Sequence, residues 1–195
     1  MSLFSGLTTN TAKHLQLDAG AFYKNFTPGT DTPSSATAKL LGATAGGGSF
    51  SAVPTIRQIE VDGKKGAVKG FEALDEWVVT LTANVKEITP ELMKIALAAG
   101  VLATTGTGIP TGYDKVSAGS ELADADYLTN ITWVGRISGS STPIIIVVYN
   151  ALATNGLTLT TADKQEGVIP VTFTGHYTIT DLETPPFDIF YPEIT

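Results

Sequence analysis

Apolar and polar residues alternate most clearly from Trp77 to Lys86. Trp77, Val79, Leu81, Ala83 and Val85 share one face, and Val78, Thr80, Thr82, Asn84 and Lys86 share the other. A period of two predicts a strand with one face in a core and the other toward water. The same period returns near the C-terminus, where Val171, Phe173, Gly175, Tyr177 and Ile179 alternate with Thr172, Thr174, His176, Thr178 and Thr180. Further strands are predicted at Ile56–Val61, before an Asp62-Gly63 hairpin turn, and at Tyr127–Val134. Pro143–Leu152 reads as a buried strand, because β-branched residues run there without a polar break, and Leu157–Thr161 as a short one. Residues 185–192 read as a proline-bracketed edge segment. One helix is predicted over about 89–100. Thr89 suits its N-cap, Pro90 its first turn and Glu91 its dipole, while Leu92, Ile95, Ala96 and Ala99 form an apolar stripe and Gly100 a stop. A single helix on strands gives a mainly β, α+β architecture.

Two segments break the pattern. Residues 1–26 read as an N-terminal arm: Leu15, Leu17, Ala19 and Ala21 alternate with other residues, and Phe22, Tyr23 and Phe26 cluster behind them. That aromatic cluster packs either on the chain's own core or on a neighbouring copy. Residues 27–53 are mostly Gly, Ser, Thr, Ala and Pro and read as a flexible loop that orders on meeting a partner. Leu40 and Leu41 support a partner, since a plain linker gains nothing from adjacent leucines. Residues 36–50 are accordingly expected to be dispensable for folding. Residues 54–195 then form the β core of one domain that spans the chain, 1–195, in keeping with its length.

Composition narrows the chemistry. The chain has no cysteine, so disulfides, thiolate metal sites and cysteine nucleophiles are excluded. Its two histidines, His14 and His176, are too few for a histidine metal cluster. The net charge is −7, which argues against a surface that grips nucleic acid by its phosphates. No apolar run approaches the ~20 residues of a membrane span, and the N-terminus lacks the layout of a signal peptide. The expectation is a chain made in a cytoplasm, with no membrane partner.

Catalytic and cofactor motifs are missing. There is no G-x-S-x-G elbow, no H-E-x-x-H and no phosphate loop. Gly106-Thr107-Gly108 follows a helix and precedes a proline, the wrong setting for a dinucleotide fingerprint. Glu121, Asp124 and Asp126 are close enough to attract a cation, but the calcium-loop pattern is absent. His176 has no sequence neighbour to activate it as a base. No catalytic residue, metal or cofactor is expected, and the chain is read as a non-enzyme.

The threonine-rich strand faces carry the remaining signal. By themselves they are wet sheet faces, since threonine is a good strand former. A second reading has them line a water-filled channel, and a resemblance favours it. LQLDAGAFYKNF at Leu15–Phe26 and IRQIEVDGKKGAVKG at Ile56–Gly70 resemble segments of the phage tail tube protein family, the major tail proteins. So do the Trp77–Val85 strand, ITPELMKIALAAG at Ile88–Gly100, YLTNITWVGRISG at Tyr127–Gly139, PIIIVVYNAL at Pro143–Leu152 and VIPVTFTGHYTITD at Val168–Asp181. The likeness lies in their order and spacing; no single piece is a chemical motif.

The resemblance implies a β-sandwich or barrel-like subunit, the tail-tube fold, with one flanking helix and extended arms and loops. It also implies hexameric rings stacked into a tube in the virion tail, a conduit through which DNA reaches the host. The chain itself is then the main partner, tape-measure and tail-tip or terminator proteins follow, and DNA passes without sequence-specific binding. Thr80, Thr82, Asn84, Thr172, Thr174, His176 and Thr178 become candidate lumen-facing residues. Leu17, Phe22, Tyr23, Phe26, Leu40, Leu41 and Phe50 become candidate inter-subunit residues. Low charge density, 16% against ~25% in ordinary soluble domains, suits a surface covered by copies of itself. The alternatives are a β-sandwich adhesin, fibre or virion decoration protein and, third, an enzyme that would depend on His176.

Overall fold

A computed structural model describes residues 6–194; residues 1–5 of the arm lie outside the described residues. The chain is mainly β, with one α-helix among the described residues. Its strands are β1 (Ala21–Lys24), β2 (Thr44–Gln58), β3 (Glu72–Val85), β4 (Gly100–Ala103), β5 (Lys115–Ala118), β6 (Leu128–Gly135), β7 (Ile144–Ala153), β8 (Thr160–Ala162), β9 (Gln165–Thr174) and β10 (Phe187–Phe190). The helix α1 is Pro90–Ala96. The main sheet runs in the order β1-β6-β7-β9-β3-β2, with β10 beside β7 and β8 beside β9.

β7 is the corner of this sheet. Along its first half it pairs with β6 on one edge and β10 on the other; at its end Leu152 and Ala153 pair with Thr174 and Phe173 of β9. The sheet therefore folds over itself, and its inner faces share one core. Val79, Leu81, Ala83 and Val85 of β3, Ile169, Val171 and Phe173 of β9, Ile131 of β6, Val148 and Ala151 of β7 and Phe22 of β1 meet there. On β3 and β9 these are alternate positions, as a pleated backbone requires, while β7 breaks the alternation at Asn150 (φ +45°). The helix closes one end by adding Leu92 and Ala96 to the same cluster.

Several elements differ from expectation. Helix α1 is shorter than 89–100. Its N-cap is as predicted, with Leu92 N–H donating to Thr89 Oγ1 (3.1 Å). It stops early because Ala98 takes a left-handed turn (φ +58°), and Gly100 opens strand β4. Residues 44–53 are no flexible loop: they are the first two thirds of β2, fifteen residues long. The Gly46-Gly47-Gly48 run is a bulge between Thr44 and Gly48, where Gly46 (φ +79°) and Gly47 (φ +66°) adopt conformations costly for other residues. Ala36 and Leu41 are buried, so residues 36–50 are part of the fold and not dispensable. β2 ends at Gln58, and Asp62-Gly63 sits inside a 59–71 loop closed by Ile59 N–H donating to Phe71 O (2.8 Å).

The last long strand also ends early. β9 stops at Thr174, and Gly175 N–H then donates to Val79 O (3.0 Å) while His176 N–H donates to Tyr149 O (3.2 Å). A Cβ at Gly175 would lie 2.7 Å from Val148. The close pass over β7 turns the chain out of the sheet there. Ile179, predicted to face the core, is instead 91% exposed.

Candidate functional site

The candidate site has three parts: a polar sheet face, an open sheet edge and a cleft between the two ends of the sheet.

β3 supplies the centre of the polar face. Thr80 and Thr82 pair with Thr174 and Thr172 of β9 on one side and with Ser51 and Ser49 of β2 on the other. Asn84 pairs with Pro170. The hydroxyls cross-link the strands, Thr82 Oγ1 to Thr172 Oγ1 at 3.1 Å and Thr154 Oγ1 to Thr174 Oγ1 at 2.8 Å. Asn155 continues the stripe, donating to Pro170 O (2.8 Å) and accepting from Thr172 N–H (2.9 Å). The stripe carries no charge until Lys86 and Glu166, which pair at 3.0 Å at one end. Hydrogen bonding to Lys86 holds the Glu166 carboxyl below its ordinary pKa.

Five candidate lumen residues, Thr80, Thr82, Asn84, Thr172 and Thr174, thus share one face. His176 and Thr178 do not, because β9 has already ended. His176 stacks edge-on against Tyr127 (5.2 Å between ring centres) with Nδ1 3.0 Å from Asn150 O. Thr178 bridges to Asp181 in a tight turn. In that turn Asp181 accepts from Glu183 N–H, Thr184 N–H and Thr184 Oγ1, which lowers its pKa, the Thr184 side chain contributing most. Ser49, Ser51, Thr154 and Asn155 also line the face. The alternation Ser49-Phe50-Ser51-Ala52-Val53 is the signal that would have found the two serines; glycine-rich composition masked it.

The open edge is β2. Among the described residues it pairs with β3 on one side and with no strand on the other. The direction of its free groups follows from Trp77, whose N–H donates away from β2, to Tyr177 Oη (2.9 Å). Trp77 faces Pro54, so in this antiparallel pair the Pro54 nitrogen points outward too. By alternation the N–H and C=O of Phe50 and Ala52 also face outward. A proline at such a site removes no ladder bond, which is why an edge strand tolerates it.

The cleft, of about 490 Å³, lies where β2 approaches β1 without pairing. Phe22, Phe50, Leu81, Trp133 and Ile146 form its apolar wall, and Gln16 and Asp18 its rim. Phe50 is held by Phe187 (5.8 Å between ring centres), which also packs on Trp77 (5.6 Å).

The candidate inter-subunit residues divide in two. Phe22, Tyr23, Phe26 and Leu41 are buried in the chain's own interior, since β1 pairs with β6 and Leu41 N–H donates to Phe22 O (2.8 Å). As surface contacts they are corrected by this packing. Leu17 and Leu40 are exposed, and Phe50 is half-buried in the cleft wall.

Among the described residues no group of three or more His, Asp or Glu side chains is placed to hold a metal ion. No helix among them is long and apolar enough to cross a membrane. No protein-family model matches the chain, and no curated protein matches it.

Proposed function

We propose that this chain is the self-assembling subunit of a hollow tube, of the kind that serves phage tails as a conduit for DNA. Copies join side by side into hexameric rings through the open β2 edge, and rings stack. The threonine face of β2, β3 and β9 lines the channel. A lining that is polar yet almost free of charge keeps water in the bore and offers phosphates no cation to bind. Tape-measure and tail-end proteins would be its further partners in a virion.

The observation that carries this reading is the β2 edge. A long, unpaired strand in a monomer invites aggregation unless something covers it. A neighbouring copy covers it by strand addition, and a closed ring removes the edge altogether. Pro54 confines the added strand to the Phe50–Ala52 side.

The test is negative-stain microscopy of the purified chain at rising concentration, beside Ala52→Pro. That substitution removes an outward N–H and no internal ladder bond, so the subunit is expected to fold and stay monomeric. Far-ultraviolet circular dichroism checks the fold, and Ser51→Lys, a charge beside the same edge, is the second variant. Wild-type protein that never forms rings or tubes, or a folded Ala52→Pro that forms them normally, would overturn lateral joining through β2.

A further inference from the structure

We infer that successive rings are held by a pole-to-pole contact, in which the tip of the β2–β3 hairpin of one copy seats on the α1 end of a second copy. The inference rests on the tube reading and names the partner surfaces of its stacking step.

Beyond Trp77, which Tyr177 and Phe187 tie to the body, the hairpin has no further strand beside it among the described residues. β9 pairs with β3 only from Thr80 onward, so Val53–Gln58 and Glu72–Val78 pair with each other alone. Both of its faces expose large apolar side chains: Val53 opposite Val78 on one, Ile56 opposite Leu74 on the other. Its 59–71 tip exposes Ile59, Val61 and Val68. An isolated two-stranded hairpin is marginal in water, and apolar residues on both faces mark it as a surface that something covers.

Charge says what covers it. The 59–71 tip alone is positive, with Lys64, Lys65 and Lys69 against Glu60 and Asp62; the strands behind it carry Glu72, Asp75 and Glu76 against Arg57, on a chain of net charge −7. Lys64 is used internally, bonded to Gln58 Oε1 (3.0 Å) and Ile59 O (3.1 Å). Lys65 and Lys69 are exposed and have no partner among the described residues.

The opposite end is the complement. β3 leads from the tip to α1, and its fourteen residues separate the two poles by roughly 45 Å. The two therefore cannot meet within one chain. β4 and β5 pack on α1, and Gly119 N–H donates to Ala99 O (2.6 Å), tying the segment that follows to this pole. Residues 86–126 carry six acids against three lysines. Asp114, Glu121 and Asp124 are exposed without a partner among the described residues; exposed Tyr113 and Leu122 adjoin Asp114 and Glu121 in the chain, and exposed Val101 lies across from Ser117 in the β4–β5 pair. Apolar residues interleaved with free cations thus face apolar residues interleaved with free acids. A contact between two different patches of one chain is heterologous and does not close, so it propagates along an axis.

The experiment uses the full chain in three charge-reversal variants: K65E/K69E, E121K/D124K and the two combined. Tube length is read by negative-stain microscopy and sedimentation. Each single-pole reversal is expected to shorten tubes at least about tenfold, leaving single rings or short stacks, and the combined reversal to restore length. Raising salt to about 1 M should shorten wild-type tubes in the same way, because the Debye length falls to ~3 Å. Wild-type length that ignores both the tip reversal and salt would overturn the contact, and so would a combined variant no longer than the singles. In those outcomes rings persist and the tube reading stands. Wild-type protein forming neither rings nor tubes would remove the tube reading and this contact with it. The reversed side chains are exposed, so thermal melts should coincide, and the salt series decides the matter if one variant fails to fold.

Discussion

Gly48 has no room for a side chain. A Cβ there would lie 2.0 Å from Thr82 O and 2.5 Å from the Phe22 ring. The glycine lets β2 leave its bulge, pair with β3 and pass over β1 at the cleft floor. Gly48→Ala is expected to cost about 1–3 kcal/mol by overpacking, seen as a lower urea midpoint at unchanged slope. Tyr149 is a second residue with a measurable signature. Its hydroxyl donates to Asp188 Oδ2 (2.9 Å). Burial first, then that hydrogen bond and the carboxylate's charge, push its pKa up to about 12 from 10.0. Between those values the unfolded chain has released a proton that the folded chain keeps, so stability is full below the ordinary pKa and is lost as pH rises through the higher one. Urea midpoints measured at about pH 9 and about pH 11.5 should fall more for wild type than for Tyr149→Phe.

At the scale of elements, α1 and the β2–β3 hairpin behave oppositely. The helix is short, and its stability comes from its cap and from Leu92 and Ala96 in the core. Thr89→Ala removes the hydrogen bond to Leu92 N–H and should cost about 1 kcal/mol, read from thermal or urea unfolding. The distal hairpin contributes little to the core. Replacing residues 56–74 by a short turn should leave the melting temperature within a few degrees of wild type, while stacking is lost in negative stain. A large fall in melting temperature would mean that the hairpin supports the subunit and is not held in reserve for a neighbour. The turn after β9 differs again: Asp181 closes it with three hydrogen bonds, and Ile179 and Leu182 are exposed on it.

For the whole molecule, the decisive feature is that the sheet does not close. β1 and β2 come together at the cleft without pairing, and β2 keeps an unpaired side. If neighbours cover that side, folding and association are linked, and stability depends on concentration by mass action. The thermal midpoint of wild-type protein should therefore rise over a hundredfold increase in concentration, while that of Ala52→Pro stays constant. Coincident, concentration-independent midpoints would describe a subunit complete by itself.

Alternation alone determined the β3 face, the apolar half of β9 and the mainly β class. A pleated strand with one wet face leaves a period of two that no other element leaves. The Thr89-Pro90-Glu91 helix start was equally legible, because capping is local chemistry. Tertiary structure decided what depends on contacts between distant residues. Gly46–Gly48 is a bulge and not a linker because β2 pairs with β3 on both sides of it, with Gly48 seated against Thr82 and Phe22. Phe22, Tyr23 and Phe26 point inward because β1 found β6. His176 leaves the threonine face because the chain must cross β7 at Gly175. Periodicity shows which side of a strand is apolar; where that strand ends, and which of its edges stays open, is set by what the rest of the chain packs beside it.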